Sequence, residues 1–266
     1  MKELKNIPRP KSCKILLIGD GCLDIYHYGT CDRLSPEAPV PVFKKTNEIH
    51  RPGMAYNVEQ NLKSFGLYVT LITNDEKITK ERFLESKYNT HLLRVDNGET
   101  KMVKETTIES FEGYDAIALA DYDKGLLRKS SIEKIVDYCK MNSIPLFVDS
   151  KKKDLSLFEG AILKVNQQEA KSAVKLPDKS ELIITLGSYG ARWRGKRYTT
   201  TSIESYDVCG AGDTFFAALI YQYMETNDIE RSIIFANKCA RITVSKIGTH
   251  SLTEQELSKV KENEFN

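Results

Sequence analysis

Residues 206–224 read YDVCGAGDTFFAALIYQYM, and within them Gly210, Ala211, Gly212 and Asp213 stand directly against a long apolar run. If that run is a buried helix from about Asp213 to Met224, the two glycines let backbone N–H groups converge at its N-terminus with no side chain in their path. A phosphate is the natural guest of such a loop. Asp213 is oddly placed for a phosphate cradle, because a carboxylate beside a triphosphate is repelled by it. Its presence makes sense if it takes a proton from an attacking hydroxyl, which points to phosphoryl transfer to an alcohol. On this junction alone, the reading that Asp213 merely caps the first helical turn stands equally well.

A loop of this kind needs a layered body to hold it. Short apolar runs recur along the chain: KILLIG (14–19), YVTLIT (68–73), YDAIALA (114–120), IPLFVD (144–149), AILKVN (161–166) and ELIITLG (181–187). They are continuous rather than alternating, and helical patterns lie between several of them, as in a parallel sheet covered on both faces. MAYNVEQNLKSFG closes on Gly66, SSIEKIVDYCKMN opens with Ser130 and Glu133 at capping-box spacing, and DIERSIIFANKCARITVSKIG starts at the N-cap candidate Asp228. Two stretches break this rhythm. Residues 25–50 and 77–108 are rich in β-branched and aromatic residues, alternate more, and include Pro39 and Pro41, which suits a small sheet projecting from the main body. The expectation is one α/β domain over residues 1–266 with that small β lid.

Composition narrows the partners. The 266 residues are 41% hydrophobic, enough for a substantial core. Against 37 acidic side chains stand 39 basic ones, so no broad field draws in nucleic acid, and small molecules or further copies of the chain are the expected partners. The cysteines are scattered without a CxxC pair, which fits a reduced, cytoplasmic setting. No apolar stretch approaches the ~20 residues of a membrane span. GARWRGK (190–196) formally spells GxxxxGK, yet Arg197 stands where a magnesium-binding Ser or Thr belongs, and the stretch reads as a hairpin.

DVCGAGDTF resembles the C-terminal signature of the ribokinase-like (PfkB) carbohydrate kinases. GDGCLDIYHYG, RLSPEAPVPVF and RPGMAYNV are similar to stretches of bacterial D-glycero-β-D-manno-heptose 7-phosphate kinases, and the likeness continues through LLRVD, ADYDKGLL, VDSKKKDLSLFEGA, VNQQEA, TLGSYGA and FANKCARITVSKIGT, covering nearly the whole chain. The resemblance implies a ribokinase-like three-layer α/β/α fold and an ATP- and Mg2+-dependent kinase acting on a phosphorylated sugar, with the anomeric hydroxyl of a heptose 7-phosphate as the expected acceptor. Asp213 would be the base, and the N–H groups of the Gly210–Ala211–Gly212–Asp213 turn would stabilise the moving phosphoryl group. Asp24, Gly53 and Asn57 would line the sugar pocket, and Lys151, Arg33 or Arg51 would meet the sugar's own phosphate. Asn166 and Glu169 would organise water around magnesium. Thr185, Gly187 and Gly190 would receive nucleotide phosphates, with Asn237 near the base. An exposed lid sheet needs cover, and a homodimer joined through the lids is the expectation; the need for a monovalent cation is left open.

The sequence also departs from that pattern. Met54 and Tyr56 replace small residues, Cys209 replaces a threonine and Asp123 a glycine, while the spans NDE after YVTLIT and KSAVKLPDKS before ELIITLG are short. These differences keep two alternatives open: a kinase for another sugar or nucleoside, and a homologue that binds sugar or nucleotide as a regulator without catalysis.

Overall fold

The computed structural model describes residues 13–99, 108, 110–178, 180–200, 208–246 and 248–262. Strands β1 (Lys14–Gly19), β4 (Tyr68–Ile72), β7 (Ala116–Asp121), β8 (Leu146–Ser150), β9 (Ile162–Asn166) and β10 (Glu181–Thr185) fall on the six apolar runs. All of them pair in parallel. The hairpin β11 (Ala191–Trp193) and β12 (Lys196–Tyr198) extends the sheet antiparallel from β10, giving the order β12-β11-β10-β9-β8-β7-β1-β4. The hairpin turns through Arg194 and Gly195, both at positive φ, as expected for GARWRGK.

Successive strand residues point to opposite faces, and two cores result. Ile15, Leu17, Ala116, Ala118 and Ala120 pack on helices α1 (Ala55–Ser64), α4 (Ala211–Thr226) and α5 (Ile229–Val244). The small alanines of β7 let α4, which is buried along most of its length, lie close against the sheet. On the other face, Leu16, Ile18, Ile117 and Leu119 pack on α2 (Lys129–Asn142). The short α3 (Gln167–Ser172) follows β9, and α6 (Glu254–Glu262) is the last helix among the described residues. This is a layered α/β fold with a mostly parallel central sheet.

A second, four-stranded sheet has the order β3-β2-β5-β6, from β2 (Gly21–Thr30), β3 (Lys44–Met54), β5 (Thr79–Glu85) and β6 (Thr90–Asn97). It starts earlier and ends later in its first half than the expected 25–50. Residues 31–43, with Pro39 and Pro41, form a largely exposed loop closed by a Leu34–Pro41 bridge, because proline has no N–H to give a ladder. Residues 100–107 of the expected lid lie outside the described residues. Two helix starts also differ. Helix α2 begins after Arg128 without a side-chain cap, so Ser130 lies inside the helix instead of capping it. Helix α4 begins at Ala211, since Gly210 adopts φ 77° and takes the N-cap position itself. Asp228 does cap α5, accepting from the Arg231 N–H.

Candidate active site

The parallel strands all end on one side of the sheet, and the polar residues just beyond them gather there: Asp20 after β1, Tyr122 after β7, Lys151 after β8, Asn166 at the end of β9 and Thr185 at the end of β10. Loops beyond the carboxyl ends of parallel strands are where ligands of such sheets bind. Buried Asp20 accepts hydrogen bonds from the backbone N–H groups of Tyr122 (2.9 Å), Lys124 (3.2 Å) and Leu126 (3.4 Å), fixing the loop that carries Tyr122.

Helix α4 opens into this row. No side chain caps it, so Asp213 is not an N-cap; the Ala211 amide donates to the Val208 carbonyl at 3.4 Å, and no hydrogen bond assigned among the described residues takes the Gly212 and Asp213 amides. Both Asp213 oxygens are engaged elsewhere: Asn57 Nδ2 donates to one at 2.7 Å and the Tyr122 hydroxyl donates to the other. Burial raises the pKa of Asp213, with the Asp149 charge adding to the rise and the two hydrogen bonds opposing it. The same burial, with the Asp213 charge next, pushes the Tyr122 phenol well above its ordinary range. Asn57 is itself oriented from behind, because its Oδ1 accepts from Asn61 Nδ2 (3.2 Å), whose Oδ1 accepts from the Thr214 hydroxyl (3.1 Å). Asn57, expected to line the sugar pocket, is 1% exposed, and its amide is engaged with Asp213 and Asn61.

On the lid side, Asp24 of β2 is buried and paired with Arg82 of β5, a residue that sequence reading missed. The alternation in TKERFLE was the available signal, since it places Lys80, Arg82 and Leu84 on one face. Gly53 stands across from Cys22 in the ladder, and a Cβ there would lie 2.4 Å from Asp24 Oδ2 and 2.6 Å from Cys22 Sγ; only glycine leaves room for that carboxylate. Arg51 donates to the Thr249 carbonyl at 2.7 Å, close to Gly248, and Thr249 itself lies beside Gly210 at the start of α4. Arg33 is exposed in the 31–43 loop, and no hydrogen bond among the described residues joins it to the Asp213 cluster. Lys151 does come to the cluster, its ammonium 4.3 Å from the Tyr122 ring centre. Desolvation lowers its pKa, while the Asp149 charge acts in the opposite direction.

Across Gly212 from this group lies a cavity of about 750 Å³, lined among others by Lys164, Asn166, Thr185, Gly187, Gly212 and Asn237. Ala211 and Gly190 also border it, so the residues expected to meet a nucleotide share one space with the start of α4. Such a volume suits a nucleotide. Gly190 is indispensable to the wall, since a Cβ would come within 2.1 Å of the Tyr198 carbonyl. Asn237 donates to that same carbonyl at 3.0 Å, and the Thr185 hydroxyl donates to Val165 at 3.3 Å, so both are partly committed to the frame.

Lys164 is the second residue missed. Buried on β9, it pairs with Asp149 at 2.6 Å, and its ammonium sits 3.2 Å from where a Gly212 Cβ would be, beside the first turn of α4. Burial works against its charge, but Asp149 more than compensates and its pKa is raised. Asn166 and Glu169 form a reciprocal capping box at the start of α3, with bonds of 2.8 and 2.7 Å. This leaves Glu169 Oε1 outside the box.

A family profile described as pfkB family carbohydrate kinase matches residues 54–256. The chain belongs to the pfkB family of carbohydrate kinases. Among curated relatives, the bifunctional protein HldE of Nitratiruptor sp. is 32% identical over 92% of this chain and 64% of its own length. The bifunctional protein HldE of Campylobacter jejuni is 31% identical, over 95% of this chain and 65% of its own length. The chain thus spans less than two thirds of these relatives. Solved structures agree on the fold of this carbohydrate kinase: phosphofructokinase-2 from Escherichia coli, in complex with potassium, superposes with a TM-score of 0.72 at 14% identity, covering 96% of this chain and 100% of that one. Ribokinase from Thermotoga maritima gives 0.67 at 14% identity, covering 94% of this chain and 100% of that one. No helix among the described residues is long and apolar enough to cross a membrane.

Proposed function

We propose that this kinase transfers the γ-phosphoryl group of ATP to a hydroxyl of a phosphorylated sugar, with the anomeric hydroxyl of a heptose 7-phosphate as acceptor. One observation carries the reading: a buried carboxylate of raised pKa, Asp213, stands in the first turn of an uncapped helix whose amides open onto a nucleotide-sized cavity. The relatedness to HldE supports the heptose.

In this reading the sugar hydroxyl lies against Asp213, which receives its proton as the oxygen bonds to the γ-phosphorus and the bond to the departing ADP oxygen breaks. The amides of Ala211, Gly212 and Asp213, with the Lys164 ammonium beside them, stabilise the charge on the moving group. Asp24, held by Arg82, faces the sugar. Glu169, oriented by Asn166, fits magnesium held through water, because the capping box commits Asn166 Oδ1 and only one of the two Glu169 oxygens; the ion would neutralise phosphate charge. The small sheet acts as a lid that excludes water.

The lid also offers a surface for dimerisation. Leu92 and Leu93 on its edge strand are 42% and 57% exposed, a pattern that a second copy would cover. Light scattering should find a dimer, and a monomer at high concentration would remove this part.

The reading is tested by incubating the protein with ATP and a panel of sugars and sugar phosphates, followed by mass spectrometry. A heptose bisphosphate as the best product is expected. If no member of the panel gains a phosphate while ATP still binds, the chain is a binding protein and not a catalyst.

A further inference from the structure

Most cations around the acceptor pocket have a partner with a structural reason to be there. Arg82 is held by Asp24, Lys164 by Asp149, and Lys152 by Asp123 at 2.6 Å and Asp121 at 3.5 Å. Two others share a single carboxylate. Lys80 of β5 and Lys124 of the loop fixed by Asp20 approach the two oxygens of Glu99 at 2.8 and 2.9 Å. The trio is half-buried, with side chains 13, 22 and 21% exposed respectively, so water does not screen it as it would a surface pair.

The position is telling. Lys80 stands opposite Asp24 in the parallel ladder, and its charge is felt at Cys22 and at Lys151, which in turn lies over the Tyr122 ring. Lys124 is two residues from Tyr122. The pair therefore lies beside the elements that carry Asp24 and that hold Asp213 through Tyr122, and neither lysine lines the nucleotide-sized cavity. One carboxylate leaves two ammonium groups with a surplus positive charge, and Lys151 adds to it. A phosphate monoester, with a charge near −1.5 to −2 at neutral pH, neutralises such a group better than a carboxylate does. Its oxygen pairs also have nearly the spacing of a carboxylate's.

We propose that Lys80 and Lys124 form the subsite for the acceptor's existing phosphate monoester, and that Glu99 is an internal stand-in that the phosphate displaces. This rests on the reading of a phosphorylated acceptor. It places that phosphate on Lys80 and Lys124 instead of on Arg33, in the exposed 31–43 loop, or Arg51, which donates to the Thr249 carbonyl. Because Glu99 follows the end of β6 while Lys124 belongs to the main body, the exchange links acceptor binding to the strap between lid and body.

The test uses direct binding without ATP, by titration calorimetry, of inorganic phosphate, sedoheptulose 7-phosphate and unphosphorylated sedoheptulose. In Glu99→Gln, both phosphate probes should bind about tenfold tighter, since the competing charge is gone; in Lys80→Ala and Lys124→Ala they should bind at least about tenfold weaker. Sedoheptulose and ATP affinities should not change, which also reports that each variant is folded. Phosphate affinity indifferent to Glu99→Gln, or to both lysine substitutions, would overturn the proposal and leave Glu99 as a lid strap only. Phosphate binding that follows these residues while no sugar phosphate is turned over would keep this subsite and remove the kinase reading; turnover with indifferent phosphate binding would do the reverse.

Discussion

The Tyr122 hydroxyl donates a hydrogen bond to Asp213, so a residue fixed by the loop after β7 touches the carboxylate that opens α4. Three elements thus meet on one side chain, because Asn57 of α1 holds its other oxygen. Each donor favours the charged carboxylate and lowers a pKa that burial raises. Removing one should let it rise further. In Tyr122→Phe, the acidic limb of the kcat/KM profile should move to higher pH, because a base of raised pKa is protonated sooner as pH falls. A pH–rate series on the two proteins checks this; an unmoved limb would show that the contact does not tune the group.

Gly53 makes a second prediction. A methyl group there would meet Asp24 Oδ2 at 2.4 Å and Cys22 Sγ at 2.6 Å. Gly53→Ala should push Asp24 from its place, costing about 1–3 kcal/mol of stability and raising KM for the sugar while leaving ATP binding intact. Urea denaturation and two-substrate kinetics measure the two effects separately.

Much of this arrangement could be read before the fold was known, and the reasons are local. The six apolar runs identify parallel strands because a strand buried on both faces cannot alternate, and GAGD before an apolar run marks the start of the buried helix α4. Pairing across distant segments carries no such local sign. Nothing adjacent to Arg82 announces Asp24, 58 positions earlier, and nothing near Lys164 announces Gly212. Arg33 and Arg51 fitted a phosphate site by charge alone, but one lies in an exposed loop and the other is held by the Thr249 carbonyl. Met54 shows a further limit: its departure from the small residue of the family pattern was legible, but not that it sits at φ 55° in the buried core, a backbone that favours glycine.

The buried Lys164–Asp149 pair should behave as a unit. Asp149→Asn alone or Lys164→Met alone leaves one buried charge without its partner, a loss on the order of 3–5 kcal/mol, whereas the double substitution should recover a large part of it. Denaturation midpoints of the three variants test the coupling. Lys164→Met should also slow phosphoryl transfer, and the double variant should regain stability without regaining rate.

The central claim is that Asp213 takes the proton of the attacking hydroxyl. Single-turnover phosphoryl transfer, measured with saturating ATP and the best acceptor of the panel, compares wild type with Asp213→Asn most directly. The account predicts a fall of about 10²- to 10⁴-fold with ATP affinity retained. A variant that transfers the phosphoryl group at the wild-type rate would contradict it.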